Sequence, residues 1–240
     1  GTFASAIDLT PGTQPESIVI ADLDGDGYPD LATCNFGSNS ISVFRHTGAG
    51  GVNGGSYSAA VNYTTGSNPR GLAIGDLDGD GKPELIAANE TTSNVSVLRN
   101  TSTSGTIDGS SFAAKVDFTT GTNPGQVRVA DLDKDGKPDV VVSNSGAANV
   151  SVLRNTSGSG TIDASSLGAK QDFTTGTAPV GLSVVDIDGD GLLDIATANI
   201  GAGNVSVLRN TSTPGDLGAS AFATNVDYTA NSQTVGLASG

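Results

Sequence analysis

One nine-residue pattern, D-x-D-x-D-G-x-x-D/E, governs what this chain can fold into. It stands at Asp22 as DLDGDGYPD, at Asp76 as DLDGDGKPE, at Asp131 as DLDKDGKPD and at Asp186 as DIDGDGLLD, at intervals of 54, 55 and 55 residues. A chain that repeats itself at a fixed interval of this length uses one supersecondary unit several times, each copy burying its apolar surface on the next. The 240 residues would allow two independent domains, but the period argues against separate cores.

The similarity runs well beyond the acidic turn. In the second unit RGLAIGDL (70–77) leads into the turn and KPELIAANE (82–90) leaves it. A short polar turn then gives NVSVLRNT (94–101), a Gly/Ser/Thr loop and FAAKVDFTT (112–120). Each apolar stretch is short, rich in Val, Ile and Leu, and bounded by Gly, Asn, Pro or Ser, which are strand signals. Val95 and Val97 alternate with Ser96, whereas VVV at 140–142 is unbroken, as in a strand covered on both faces. No stretch keeps a helical period. Every unit thus reads as four strands, A to D, with the acidic turn joining A to B. The arginine that ends strand C (Arg45, Arg99, Arg154, Arg209) follows the first aspartate by 23 residues in all four units.

Units of about 55 residues with four strands each predict an all-β fold, a β-propeller of four-stranded antiparallel blades. We expect one propeller domain over residues 1–240, or a segment of one, with repeats at roughly 16–69, 70–124, 125–179 and 180–234. The chain opens on a D-type strand (2–10) and closes on VGLASG (235–240), an A-type strand with its turn cut away. Four blades are therefore complete. Either the chain is part of a longer propeller, its parent chain completing the ring, or its ends pair with another copy as a homo-oligomer.

Calcium prefers six to eight oxygen ligands, and the turn offers carboxylates at alternate positions. In the first copy Asp22, Asp24, Asp26 and Asp30 are the expected carboxylate ligands, with the Tyr28 carbonyl. The second offers Asp76, Asp78, Asp80 and Glu84 with the Lys82 carbonyl, and the third Asp131, Asp133, Asp135 and Asp139 with the Lys137 carbonyl. The fourth offers Asp186, Asp188, Asp190 and Asp194 with the Leu192 carbonyl. Gly27, Gly81, Gly136 and Gly191 stand where the chain must reverse with positive φ. An EF-hand shares the opening of the pattern but needs a glutamate twelfth; Thr33, Ala87, Val142 and Thr197 stand there. With neither His nor Cys in the turns, zinc is disfavoured. About four Ca²⁺ are expected. They would reduce the formal charge from −14 to about −6, inside the usual range for a soluble domain.

These turns, with their flanking strands, resemble FG-GAP or VCBS repeats, the calcium-binding propeller repeats of integrin alpha subunits, bacterial secreted proteins and some propeller lectins. The resemblance covers nearly the whole chain. It implies a propeller with Ca²⁺ in the A–B turns, often of about five to eight blades, and an extracellular setting.

The net charge of −14 excludes a nucleic-acid surface, which needs Lys and Arg. No apolar run approaches the ~20 residues of a membrane span. Lacking an initiating Met, the chain reads as a mature or excised piece of a longer secreted precursor. Catalysis is not expected. His46, the one histidine, stands where other repeats have Asn100, Asn155 and Asn210, and is read as a surface residue. Cys34 reads as a small buried strand residue. The sequons at Asn94, Asn149 and Asn204 recur at one strand position, so repetition explains them.

The expected role is that of an extracellular interaction or adhesion module with a protein or glycan ligand, the alternative being a lectin with sites at blade junctions. The A–B and C–D loops should share one face, leaving the B–C and D–A loops for ligand. Candidates on that side are Asn35, Phe36, Ser38, Arg70, Asn89, Glu90, Thr91 and Gln126, with Tyr28 and Tyr57 nearer the metal side.

Overall fold

A computed structural model describes residues 6–48, 53 and 55–230. Sixteen strands form four antiparallel sheets, and no helix occurs among the described residues. The first sheet runs β1 (Pro15–Ala21), β2 (Asp30–Asn35), β3 (Ser40–Phe44) and β4 (Val61–Thr64). The second is β5 (Pro69–Gly75), β6 (Glu84–Asn89), β7 (Asn94–Leu98) and β8 (Val116–Thr119). The third is β9 (Pro124–Ala130), β10 (Asp139–Asn144), β11 (Asn149–Leu153) and β12 (Gln171–Thr174). The fourth is β13 (Pro179–Val185), β14 (Asp194–Asn199), β15 (Asn204–Leu208) and β16 (Val226–Thr229). Within each sheet the strands pair in chain order.

The expected A, B, C and D strands are these elements, unit by unit. Residues 6–10, the described half of the predicted N-terminal D strand, lie outside any strand. The predicted A strand at 235–240 falls outside the described residues.

The first strands of the sheets pack side by side in the succession β1, β5, β9, β13, and no comparable packing joins β13 to β1. Three apolar layers lie between the sheets. Val19, Ala32, Cys34, Ile41, Val43 and Tyr63 of the first sheet meet Leu72, Leu85, Ala87, Leu98 and Phe112 of the second unit. The same set of positions forms the second and third layers. Cys34 is fully buried, as expected, and burial pushes its thiol up to about 11.

The serine side of strand C is buried in all four sheets, by the preceding sheet in the later three and by the segment around Gly12 in the first. It is occupied by a polar ladder. Asn35 Nδ2 donates to Ser42 Oγ (2.9 Å), which donates to Asn62 Oδ1 (2.6 Å). In later units the ladder runs Asn89–Ser96–Asp117, Asn144–Ser151–Asp172 and Asn199–Ser206–Asp227. A glycine closes each ladder by donating its amide to the serine, and a Cβ on Gly66 would stand 2.7 Å from the Asn89 side chain. Asn35 and Asn89 are therefore buried structural residues, not the exposed ligand contacts expected of them.

Candidate metal centre

The acidic turn is built by its own backbone. Gly27, Gly81, Gly136 and Gly191 take φ of 86–89°, which lets the chain fold back over the first aspartate. Asp22 then accepts the amides of Gly25 (2.8 Å) and Gly27 (2.8 Å), and Asp26 Oδ1 accepts that of Tyr28 (2.9 Å). Equivalent bonds hold Gly81 and Lys82, Gly136 and Lys137, and Gly191 and Leu192.

The last carboxylate of each turn is a hub. Asp30 Oδ2 accepts the Leu23 amide (2.9 Å) and Oδ1 the His46 amide (2.7 Å), tying the turn to the end of strand C. Glu84, Asp139 and Asp194 do the same with Leu77 and Asn100, Leu132 and Asn155, and Ile187 and Asn210. All four hubs are buried. Burial, with the neighbouring carboxylates in support, pushes Asp30 up to about 6 and Glu84 and Asp139 up to about 7.

Three carboxylates converge in each unit: Asp22, Asp24 and Asp30; Asp76, Asp78 and Glu84; Asp131, Asp133 and Asp139; Asp186, Asp188 and Asp194. In each trio one oxygen per residue lies within 4.8 Å of the others. These clusters can hold a metal ion, one per repeat. The fit is supported by Asp131 Oδ1, a buried carboxylate oxygen that meets no hydrogen-bond donor among the described residues. The donors are all oxygen, the chemistry of a hard divalent cation.

The third carboxylate of each turn lies outside its trio and has another partner. Arg45 places Nε on Asp24 Oδ2 (2.7 Å) and an amino group on Asp26 Oδ2 (2.5 Å). Arg99, Arg154 and Arg209 bridge Asp78 and Asp80, Asp133 and Asp135, and Asp188 and Asp190 in the same way. This arginine fork was missed as part of the site, although the constant 23-residue spacing carries the signal for it.

His46 is buried rather than on the surface. Its ring is stacked on Tyr28 at 5.3 Å and meets Tyr57 edge-on at 5.1 Å. The expected division of faces holds. Strand C–D loops reach the acidic turns: Ser102 Oγ donates to Leu23 O and Ser104 Oγ to Gly25 O. On the other side Asn68 Nδ2 donates to Phe36 O, Thr91 Oγ1 donates to Asn68, and Arg70 pairs with Glu90 at 2.8 Å. Ser38 is exposed, Phe36 is half-buried, and Gln126 accepts a bond from Arg128. The sequon residues Asn94, Asn149 and Asn204 are half-buried, and their Oδ1 atoms accept from the ladder asparagines.

The model of the FG-GAP-like repeat matches the chain three times, over residues 22–87, 76–142 and 131–197. No curated protein matches the sequence. Among solved structures, a protein of unknown function from Desulfotomaculum acetoxidans is similar over 91% of this chain and 62% of its own, with 16% identity and a TM-score of 0.54. BBS1N, solved in complex with ARL6DN, is similar over 95% of this chain and 62% of its own, with 14% identity and a TM-score of 0.58. The Vibrio cholerae biofilm matrix protein Bap1 is similar over 83% of this chain and 27% of its own, with 18% identity and a TM-score of 0.50. These likenesses concern the fold, and the chain spans less than two thirds of each of those proteins.

Proposed function

Since the chain belongs to the FG-GAP-like repeat family, we propose that it is a calcium-stabilised β-propeller segment serving as an extracellular, non-catalytic interaction module. The observation that carries this reading is the repetition of one carboxylate trio, in register, in four successive sheets. Carboxylates held this close repel one another unless a cation joins them. An all-oxygen set without His or Cys favours Ca²⁺ over zinc. Sheets stacked in chain order, first strand against first strand, support the propeller reading. No helix among the described residues is long and apolar enough to cross a membrane. Extracellular calcium modules work at Kd values of about 10⁻⁴–10⁻³ M, which suits sites formed by short turns at the protein surface.

The partner we propose is a protein. With Asn35 and Asn89 buried, the side away from the metal turns offers exposed Ser38 and Thr91 and the Arg70–Glu90 pair. That pair borders a cavity lined by Arg70, Gln126, Pro179, Val180 and Ile200, and the described residues of this side present no exposed aromatic platform of the kind a sugar site commonly uses.

Thermal melting in EDTA and in millimolar Ca²⁺, with calorimetric titration of the chelated protein, tests the metal reading. About four Ca²⁺ should bind, and saturation at 100-fold Kd should add about 2.7 kcal/mol per independent site. Equal melting temperatures in both conditions refute it.

A further inference from the structure

The third sheet departs from the repeat at three positions of its first strand, and all three bear on one cavity. Where the other units carry Glu16, Arg70 and Val180, β9 has Gly125. Where they carry Ser17, Gly71 and Gly181 it has Gln126, and where they carry Val19, Ala73 and Ser183 it has Arg128. The shared packing of the units dictates none of these three residues, and local departures of this kind mark functional positions.

Gly125 leaves room. A Cβ there would make only ordinary contacts, the nearest with Ser143 Oγ at 3.7 Å, and its φ is not positive. Neither crowding nor backbone conformation therefore requires a glycine. Its bare backbone lines a cavity of about 290 Å³ on the side away from the metal turns. Gln126 lines the cavity too, with Arg70 of the second unit on one side and Val180 and Ile200 of the fourth on the other.

The polar end of the cavity is organised by Arg128. Val127 and Val129 pack on the second sheet, so Arg128 between them faces the fourth. Its Nη1 donates to Gln126 Oε1 (3.2 Å) and to Val127 O (2.9 Å). A guanidinium only donates, so it holds the amide by its oxygen and leaves the Nε2–H₂ group to the cavity. Among the described residues that group meets no acceptor. Arg128 has no carboxylate partner among the described residues, whereas Arg45, Arg70, Arg99, Arg154 and Arg209 each have one. Burial holds its guanidinium below the ordinary pKa. Drawing a guanidinium from water without a counter-charge costs stability, yet a chain with 25 Asp and Glu supplies none here.

We propose that this cavity binds an aliphatic carboxylate. The carboxylate accepts from Gln126 Nε2–H₂ and from Arg70. Only Nη1 of Arg70 is engaged, by Glu90, in a pair exposed enough to open at little cost. The aliphatic part lies against Val180 and Ile200, which is 39% exposed where the second and third units have Glu90 and Ser145. Arg128 is a positioning residue: it aims the amide and sets a positive charge behind it. The volume is at the small end for ligand sites, so the cavity takes one short acid, either free or as the C-terminal residue of a protein. Placing that acid on a protein rests on the interaction-module reading. The preference for a carboxylate rests on the cavity alone, and not on which cation fills the turns.

Titration of the ¹⁵N-labelled full chain with hexanoate and with hexanamide, read on the Gln126 side-chain amide, tests the site. Hexanoate should bind at least about tenfold more tightly, the difference made by one charge-assisted hydrogen bond. Arg128→Leu should erase that preference while the melting temperature holds or rises, because an unpartnered charge leaves the junction. An arginine with a structural role only would lower the melting temperature and leave the preference intact. Gly125→Val gives the third unit the residue of the fourth and should block hexanoate without a change in melting temperature. A tetrapeptide ending in leucine, as free acid and as amide, separates the two sources. Binding of the free acid alone places the carboxylate on a protein; hexanoate binding with both peptides inert upholds the site and refutes only its protein ligand. Equal affinity for hexanoate and hexanamide, or hexanoate binding that survives both Arg128→Leu and Gly125→Val, overturns the proposal.

Discussion

The four ladder asparagines differ in one respect that can be measured. Thr33 donates to Asn35 Oδ1 (3.3 Å) and Thr197 to Asn199 Oδ1 (2.9 Å). In the second and third units the same place holds Ala87 and Val142, and there Asn89 Oδ1 and Asn144 Oδ1 are buried without a donor. An unmet buried acceptor costs about 1–3 kcal/mol. Val142 is fully buried in the core, where a threonine would ordinarily destabilise by a similar amount. Val142→Thr should nevertheless leave stability unchanged or raise it by about 1 kcal/mol, because its hydroxyl meets Asn144. Val150→Thr, also buried but with Val152 two residues on, should lose about 1–3 kcal/mol. Urea melts of both variants give the comparison, and equal losses would mean that the hydroxyl does not reach the amide.

At the scale of the element, the turn and its strands are readable from sequence because their causes are local. Three alternating aspartates, a glycine at positive φ and apolar strands on either side are all written within a few residues. The ladder and His46 are different. A strand-ending asparagine looks like turn chemistry, and its burial is set by a serine on the next strand and by the glycine-bearing segment that closes over both. His46 looks like a lone surface substitution until Tyr28 and Tyr57 are seen to enclose it. The arginine fork lies between these cases: its spacing is visible, but only the fold brings Arg154 onto Asp133 and Asp135. The fork places one positive charge against each turn and holds the third carboxylate off the trio. Arg154→Ala leaves the buried Asp133 without its cationic partner. It should destabilise the chelated protein by about 1–2 kcal/mol, less than a fully buried pair because the guanidinium is partly exposed. In saturating Ca²⁺ the loss should be smaller, since the ion supplies the missing charge. Melting both proteins with and without EDTA checks this, and an equal loss in the two conditions would separate the arginine from the metal site.

Over the whole molecule, the three hub carboxyls that burial raises make the sign of the pH dependence a test of the metal reading. Asp30, Glu84 and Asp139 rise to about 6, about 7 and about 7 in the fold, from ordinary values of 3.8, 4.5 and 3.8. Between about pH 4 and pH 7 the metal-free fold therefore holds protons that the unfolded chain has released. Stability falls with rising pH wherever the folded state binds more protons, so the chelated protein should melt higher at pH 5 than at pH 7.5. Repulsion within a chain of charge −14 acts in the same direction. Calcium abolishes it. Ligation requires the ionised carboxylates and expels their protons, so in saturating Ca²⁺ neither the folded nor the unfolded state holds these protons above about pH 5 and the melting temperature should be nearly flat from pH 5 to pH 7.5. The two curves should diverge as pH rises and converge near pH 4–5, where protons displace the ion. An equal fall from pH 5 to pH 7.5 with and without Ca²⁺ would mean that the hub carboxylates are structural acceptors only, and that the trios in the four turns do not close on a cation.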